Sequence, residues 1–129
     1  MKKIDRLLTN ICSDNLERSK KFYMTLFDLQ ITFDSDWFVH MTTEDNNLEL
    51  GLIASDSDLV PKEFQQQPKG FYITFVVDDA DELYKIATSA NLPVISEPSD
   101  TFYGQRRLLL KDPSGTLIDI SSPIKDFGM

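Results

Sequence analysis

Two kinds of apolar spacing take turns along this chain. From Phe71 to Val77 almost every residue is apolar, aromatic or β-branched, the strongest strand signal in the sequence. The period then changes: Ala80, Leu83, Ile86, Ala87 and Ala90 recur at helical spacing behind Asp78-Asp79, with Glu82 three residues after Asp79. That pattern predicts a capped amphipathic helix, with Asn91 as the cap at its end. The first half has the same order. Ile4 to Ser13 reads as a strand, Asp14 as an N-cap with Glu17 three residues on, and Leu16, Ser19, Phe22, Tyr23, Leu26 and Phe27 as the buried stripe of a helix over 15–28. Asp28 stands where a left-handed cap would end it.

Short β-prone runs follow each helix. After the first come Leu29 to Phe33, Trp37 to Thr42 and Leu48 to Ile53, separated by the polar turns Asp34-Ser35-Asp36 and Asn46-Asn47. Ala54 to Lys69 has no period and reads as a connector. After the second helix, Pro93 to Ser96 reads as a short strand, Glu97-Pro98-Ser99-Asp100 as a turn, and Thr101 to Lys111 as a strand or pair of strands. The chain closes on a hairpin in which Leu108, Leu109 and Leu110 enter the turn Asp112-Pro113-Ser114-Gly115 and Leu117 to Ile120 leave it.

The halves match, and Asp28-Leu29-Gln30-Ile31 after one helix corresponds to Asn91-Leu92-Pro93-Val94 after the other. A duplicated βαβββ module is the simplest account. It gives an α+β fold with module one at about 4–54, the connector at about 55–69 and module two at about 70–122, within a single domain spanning 1–129. Each module alone is too small to cover its sheet, so two modules share a core within one chain or across two.

Composition narrows the function. A formal charge of −8 argues against nucleic acid and anionic membrane as partners, because both need a basic surface, and is compatible with a cationic small ligand. No membrane span or signal peptide is legible, and a single cysteine, Cys12, agrees with a reducing compartment, so a cytoplasmic location is expected. Cys12 itself reads as a small core residue.

The candidate chemistry sits in the strands. Asp119 lies among Leu117, Ile118 and Ile120, and Glu49 between Leu48 and Leu50. A carboxylate in such a run is costly unless it meets a wet cleft, a cation or hydrogen-bond donors. Arg106 and Arg107 point to opposite sides of one strand, so only one shares a face with Asp119, where it either pairs with the acid or grips a ligand. Trp37, Tyr72 and Tyr103 are placed to line an aromatic slot, and His40 is the only histidine.

Together these features resemble the vicinal oxygen chelate superfamily of glyoxalases, bleomycin-resistance proteins and extradiol dioxygenases. The resemblance rests on Ser13 to Ser19 followed by Phe22-Tyr23, on Leu48-Glu49-Leu50, on Val76-Val77-Asp78-Asp79, and on Asp112-Pro113-Ser114-Gly115 followed by Asp119. It implies tandem βαβββ modules whose curled mixed sheets enclose a cleft, a small-molecule ligand, and a homodimer. In metal-dependent members, the first and last strand of each module supply ligands, usually His or Glu. Those positions fall here on Leu8, Glu49, Tyr72 and Asp119, so two carboxylates remain and the first-strand imidazoles are missing. What the resemblance implies is a metal-independent binding protein, with no cofactor, whose ligand is an aromatic or cationic compound held by Trp37, His40, Glu49, Tyr72, Tyr103, Arg106, Arg107 and Asp119. The alternative is a lyase, isomerase or dioxygenase that holds a divalent metal at Glu49 and Asp119 with His40.

Overall fold

A computed structural model describes residues 2–125. The chain divides into two compact units, Met1–Pro68 and Lys69–Met129. In the first, strand β1 (Thr9–Ser13) leads into helix α1 (Leu16–Leu26), followed by β2 (Gln30–Asp34), β3 (Phe38–Thr42) and β4 (Glu49–Ala54). In the second, β5 (Tyr72–Val76) leads into α2 (Ala80–Ser89), followed by β6 (Val94–Asp100), β7 (Gln105–Lys111) and β8 (Leu117–Pro123). The sheets have orders β1-β4-β3-β2 and β5-β8-β7-β6. In each, the first strand runs parallel to the last and the other pairs are antiparallel. The duplicated βαβββ module is therefore present, as two open sheets.

Alternation assigns the faces. In the first unit Ile11, Val39, Met41, Leu50 and Leu52 are buried and α1 packs on β3 and β4, contributing Phe22, Tyr23 and Leu26. Asn10, Phe38, His40, Glu49 and Gly51 belong to the opposite face. In the second unit α2 contributes Ala80, Leu83 and Ala87 over Leu108, Leu110, Ile118 and Ile120, leaving Tyr72, Thr74, Arg107 and Asp119 on the other side. Each fully buried Leu or Ile stabilises its unit by roughly 1.5–3 kcal/mol.

Several boundaries differ from the sequence expectation. Helix α1 is capped by Asn15, whose extended backbone lets its carbonyl Oδ1 accept from Arg18 N at 3.1 Å, and Asp14 instead accepts from the Ser55 hydroxyl. The helix stops at Leu26 because Phe27 turns extended (φ −127°), so Asp28 makes no left-handed cap. Strand β1 begins at Thr9, and Ile4 and Leu7 lie exposed before it. Helix α2 starts as expected, with Asp79 accepting from Asp81 N and Glu82 N, and Asn91 follows it at φ 57°.

The expected turn at Glu97 to Asp100 is part of β6. Register shifts between Val94 and Ser96 and between Ser96 and Ser99 accommodate Pro98, which a sheet-edge strand tolerates because the missing N–H breaks no inner ladder. The reversal comes later, ending at Gly104 (φ 91°). The Asp112 hairpin is as read: Asp112 Oδ1 accepts from Ser114 N at 2.9 Å and Thr116 N at 2.8 Å, and Gly115 adopts φ 90°. The connector holds a 3-10 turn at Lys62–Phe64.

Candidate functional site

In the first unit, Glu49 opens β4 opposite Thr42, and His40 lies one pleat along β3 opposite Gly51, so both project from the face away from α1. His40 Nε2 is 2.8 Å from Glu49 Oε1. A carboxylate accepts only, so Nε2 carries the proton and donates to it. At the other ring nitrogen stands Thr32, the bulged residue of β2, whose hydroxyl contacts His40 Nδ1 and lies 3.2 Å from the His40 carbonyl oxygen. That hydroxyl can donate to Nδ1 of a neutral ring, or accept from Nδ1–H of an imidazolium while donating to the carbonyl.

Sequence reasoning missed the residue that reaches this pair from outside. Arg6 Nε donates to both Glu49 oxygens, at 2.9 Å and 2.7 Å, and its Nη2 also bonds Oε1. Hydrogen bonds from Arg6, with smaller help from His40, hold the Glu49 carboxyl down from 4.5 to about 2, against the opposing effect of burial. Glu49 is therefore ionised at any ordinary pH.

Aromatic rings continue the same face. Phe38 stacks on His40 at 6.4 Å and on Trp37 at 5.4 Å, and Phe33 meets Trp37 edge-on at 6.0 Å. Phe33 and Trp37 are exposed. Gly51 makes room for this row, since a Cβ there would fall 2.2 Å from Asn10 Oδ1 and 2.9 Å from Phe38 Cζ.

In the second unit Asp119 is buried, with Oδ2 accepting from the Thr74 hydroxyl at 2.9 Å and Oδ1 from the Ser121 hydroxyl at 2.8 Å. Arg107 Nε stands 3.3 Å from Oδ1, an ion pair without hydrogen-bond alignment, and its guanidinium carbon lies 5.5 Å from the centre of the Tyr72 ring. Arg106 goes to the other face, where it forks onto Asp81 of α2 at 2.9 and 3.2 Å and reaches Asp100 at 3.0 Å. Arg106 thus clamps the helix to the sheet, and Arg107 is the one beside Asp119. Tyr103 lies in the reversal before β7, edge-on to Phe102 at 5.3 Å.

The two carboxylates hold non-equivalent positions in their own sheets. Asn10 and Thr74 each stand five residues before their helix cap, Asn15 and Asp79, and they pair with Gly51 and Asp119 respectively. Asp119 thus occupies the position of Gly51, and Glu49 corresponds to Leu117, one pleat away. Leu8 and Tyr72 do correspond, each seven residues before its cap.

These donors do not suit a catalytic divalent metal. His40 and Glu49 offer two donors, the third group at the pair is the Arg6 guanidinium, and Asp119 is taken up by hydroxyls and Arg107. Among the described residues no group of three or more His, Cys, Asp and Glu side chains is gathered to hold an ion, whereas such metals ordinarily take at least three protein ligands. Cys12 is likewise a poor nucleophile: burial, helped by Asp14, pushes its thiol pKa up. Among the described residues no helix is long and apolar enough to cross a membrane.

Residues 3–120 match the family model described as the Glyoxalase/Bleomycin resistance protein/Dioxygenase superfamily. No curated protein matches significantly. Among solved structures, a glyoxalase/bleomycin resistance protein/dioxygenase family enzyme from Burkholderia phytofirmans PsJN aligns with TM-score 0.77 at 22% identity, over 91% of this chain and 97% of its own. A lactoylglutathione lyase from Agrobacterium tumefaciens aligns with TM-score 0.72 at 18% identity, over 98% of this chain and 99% of its own. A bleomycin resistance determinant encoded on the transposon Tn5 aligns with TM-score 0.66 at 21% identity, over 93% of this chain and 98% of its own. At these identities the neighbours share the fold and speak to nothing finer. The match over residues 3–120, the paired βαβββ sheets and the order of the motifs agree, and the chain belongs to the Glyoxalase/Bleomycin resistance protein/Dioxygenase superfamily.

Proposed function

We propose that this chain is a metal-independent binding protein for a small organic ligand that combines a cationic group with an aromatic body, and that the ligand lies on the face of the first sheet carrying Glu49, His40, Phe38 and Trp37. One observation carries the reading: a carboxylate held ionised by a planar cation already engaged on it stands beside a row of rings whose far members, Phe33 and Trp37, are exposed. A carboxylate neutralises the charged end of such a ligand, and ring faces attract both its aromatic body and its cation. The net charge of −8 favours the approach of cations. Asp119, with Thr74, Ser121 and Arg107 around it, serves the structure of the second unit and not the ligand, and we further propose a homodimer, for which light scattering should return twice 14.8 kDa.

Trp37 is the sole tryptophan and supplies the test. Titration with a cationic aromatic compound should change its fluorescence saturably, an uncharged compound of the same shape should bind at least tenfold more weakly, and Glu49→Gln should abolish the difference. Equal binding of the charged and uncharged compounds would overturn the reading.

A further inference from the structure

The contact between Arg6 and Glu49 joins a fixed receptor to a loosely anchored occupant. Glu49 and His40 stand on adjacent inner strands, and the Glu49 side chain is only 9% exposed. Arg6 comes from residues 2–8, which precede β1 outside any helix or strand, and its side chain is 61% exposed. Its neighbours do not tie it down: Ile4 and Leu7 are 80% and 82% exposed.

We propose that Glu49, His40 and Thr32 form a receptor for a planar amidinium or guanidinium group, and that Arg6 is its tethered occupant, which the ligand displaces. This rests on the binding reading above and names its ligand class. The geometry selects that class. Arg6 Nε lies within 2.9 Å of both carboxylate oxygens while Nη2 bonds one of them, a planar, multiply donating contact that a compact ammonium cannot reproduce. His40 Nε2, held by Thr32 through the other ring nitrogen, fixes the direction of Oε1. An incoming amidinium finds the oxygens already oriented and the rings of Phe38 and Trp37 alongside.

The tether makes Arg6 an intramolecular competitor, and the apparent affinity of any ligand falls by the fraction of molecules in which Arg6 has let go. An exposed arginine holds such a site only modestly, so its removal should tighten binding by roughly fivefold. A lid that leaves this readily admits ligand without a change in the sheet.

Benzamidine and benzylamine, followed by calorimetry on the full chain, test the proposal. Wild type should bind benzamidine more tightly than benzylamine, Arg6→Ala should bind benzamidine about fivefold more tightly than wild type, and Glu49→Gln should lose binding. The thermal midpoint of Arg6→Ala should confirm folding. Saturable benzamidine binding that is equal in wild type and Arg6→Ala, or weaker in Arg6→Ala, would overturn the tethered occupant and leave the binding reading standing. Benzylamine binding as tightly as benzamidine would overturn the ligand class. Absence of binding to all three proteins would sink both the binding reading and the receptor built on it.

Discussion

The two units solve one problem in different ways. Each puts a carboxylate on the helix-free face of a mixed four-stranded sheet with the same strand order. In the second unit Asp119 is satisfied from within: Thr74 on the neighbouring strand, Ser121 two residues along its own, and Arg107 on the strand beyond. In the first unit Glu49 has one partner from the sheet, His40, and takes its strongest hydrogen bonds from Arg6 outside it. One acid is built in and the other is available: the sheet itself sets the Thr74 and Ser121 hydroxyls beside Asp119, whereas Arg6 sits on an exposed segment outside the sheet and leaves by rotating.

The largest expected effect breaks the built-in acid. Asp119→Ala strips the buried Ser121 hydroxyl, the Thr74 hydroxyl and Arg107 of their partner and should cost roughly 3 kcal/mol in urea unfolding, whereas Glu49→Ala should move the midpoint far less. Equal losses would erase the distinction. Next comes the register position the units share. Asp119 fits in one, but Gly51→Ala in the other would push Asn10 and Phe38 apart and should cost roughly 1–3 kcal/mol, with a change in Trp37 fluorescence as the ring row shifts. An unaltered spectrum and midpoint would show that the row does not depend on Gly51.

The smallest effect is in acid. Glu49 titrates at about 2 in the folded protein against an ordinary 4.5. A depressed carboxyl stabilises the fold fully above the higher value, and the contribution fades as pH falls through the lower one. The stability difference between wild type and Arg6→Ala should therefore be constant at neutral pH and shrink from pH 4.5 toward 2. A difference that grows in that window would contradict the assignment of Arg6 as the principal cause.

Much of this was legible in the sequence because it is local. The helix periods, the Asp79 cap, the Asn91 ending and the Asp112 turn each depend on residues within a few positions of one another. Where two acceptors compete, locality fails: Asp14 and Asn15 both suit an N-cap, and Ser55, far along the chain, draws Asp14 away. Pro98 reads as a turn unless its strand is known to lie at an edge, which only the sheet order decides. The sequence singled out both carboxylates and the histidine as candidates, and its opposite-faces argument for Arg106 and Arg107 holds. It gave no sign of Arg6, whose partner is 43 residues away, or of Thr32, which meets His40 through a bulge. Nor did it show that Glu49 and Asp119 sit one pleat out of register, because pairing registers are written between strands and not along them.

On the binding mode proposed above, ligand binds where the acid is available and passes over the acid that is built in. Backbone amide and Trp37 indole NMR signals of the full chain, followed during a benzamidine titration, test this most directly. Signals of His40, Glu49 and Trp37 should shift together and saturate while those of Thr74, Asp119 and Ser121 stay within the noise. Saturable shifts centred on Asp119, with the first sheet unmoved, would contradict it.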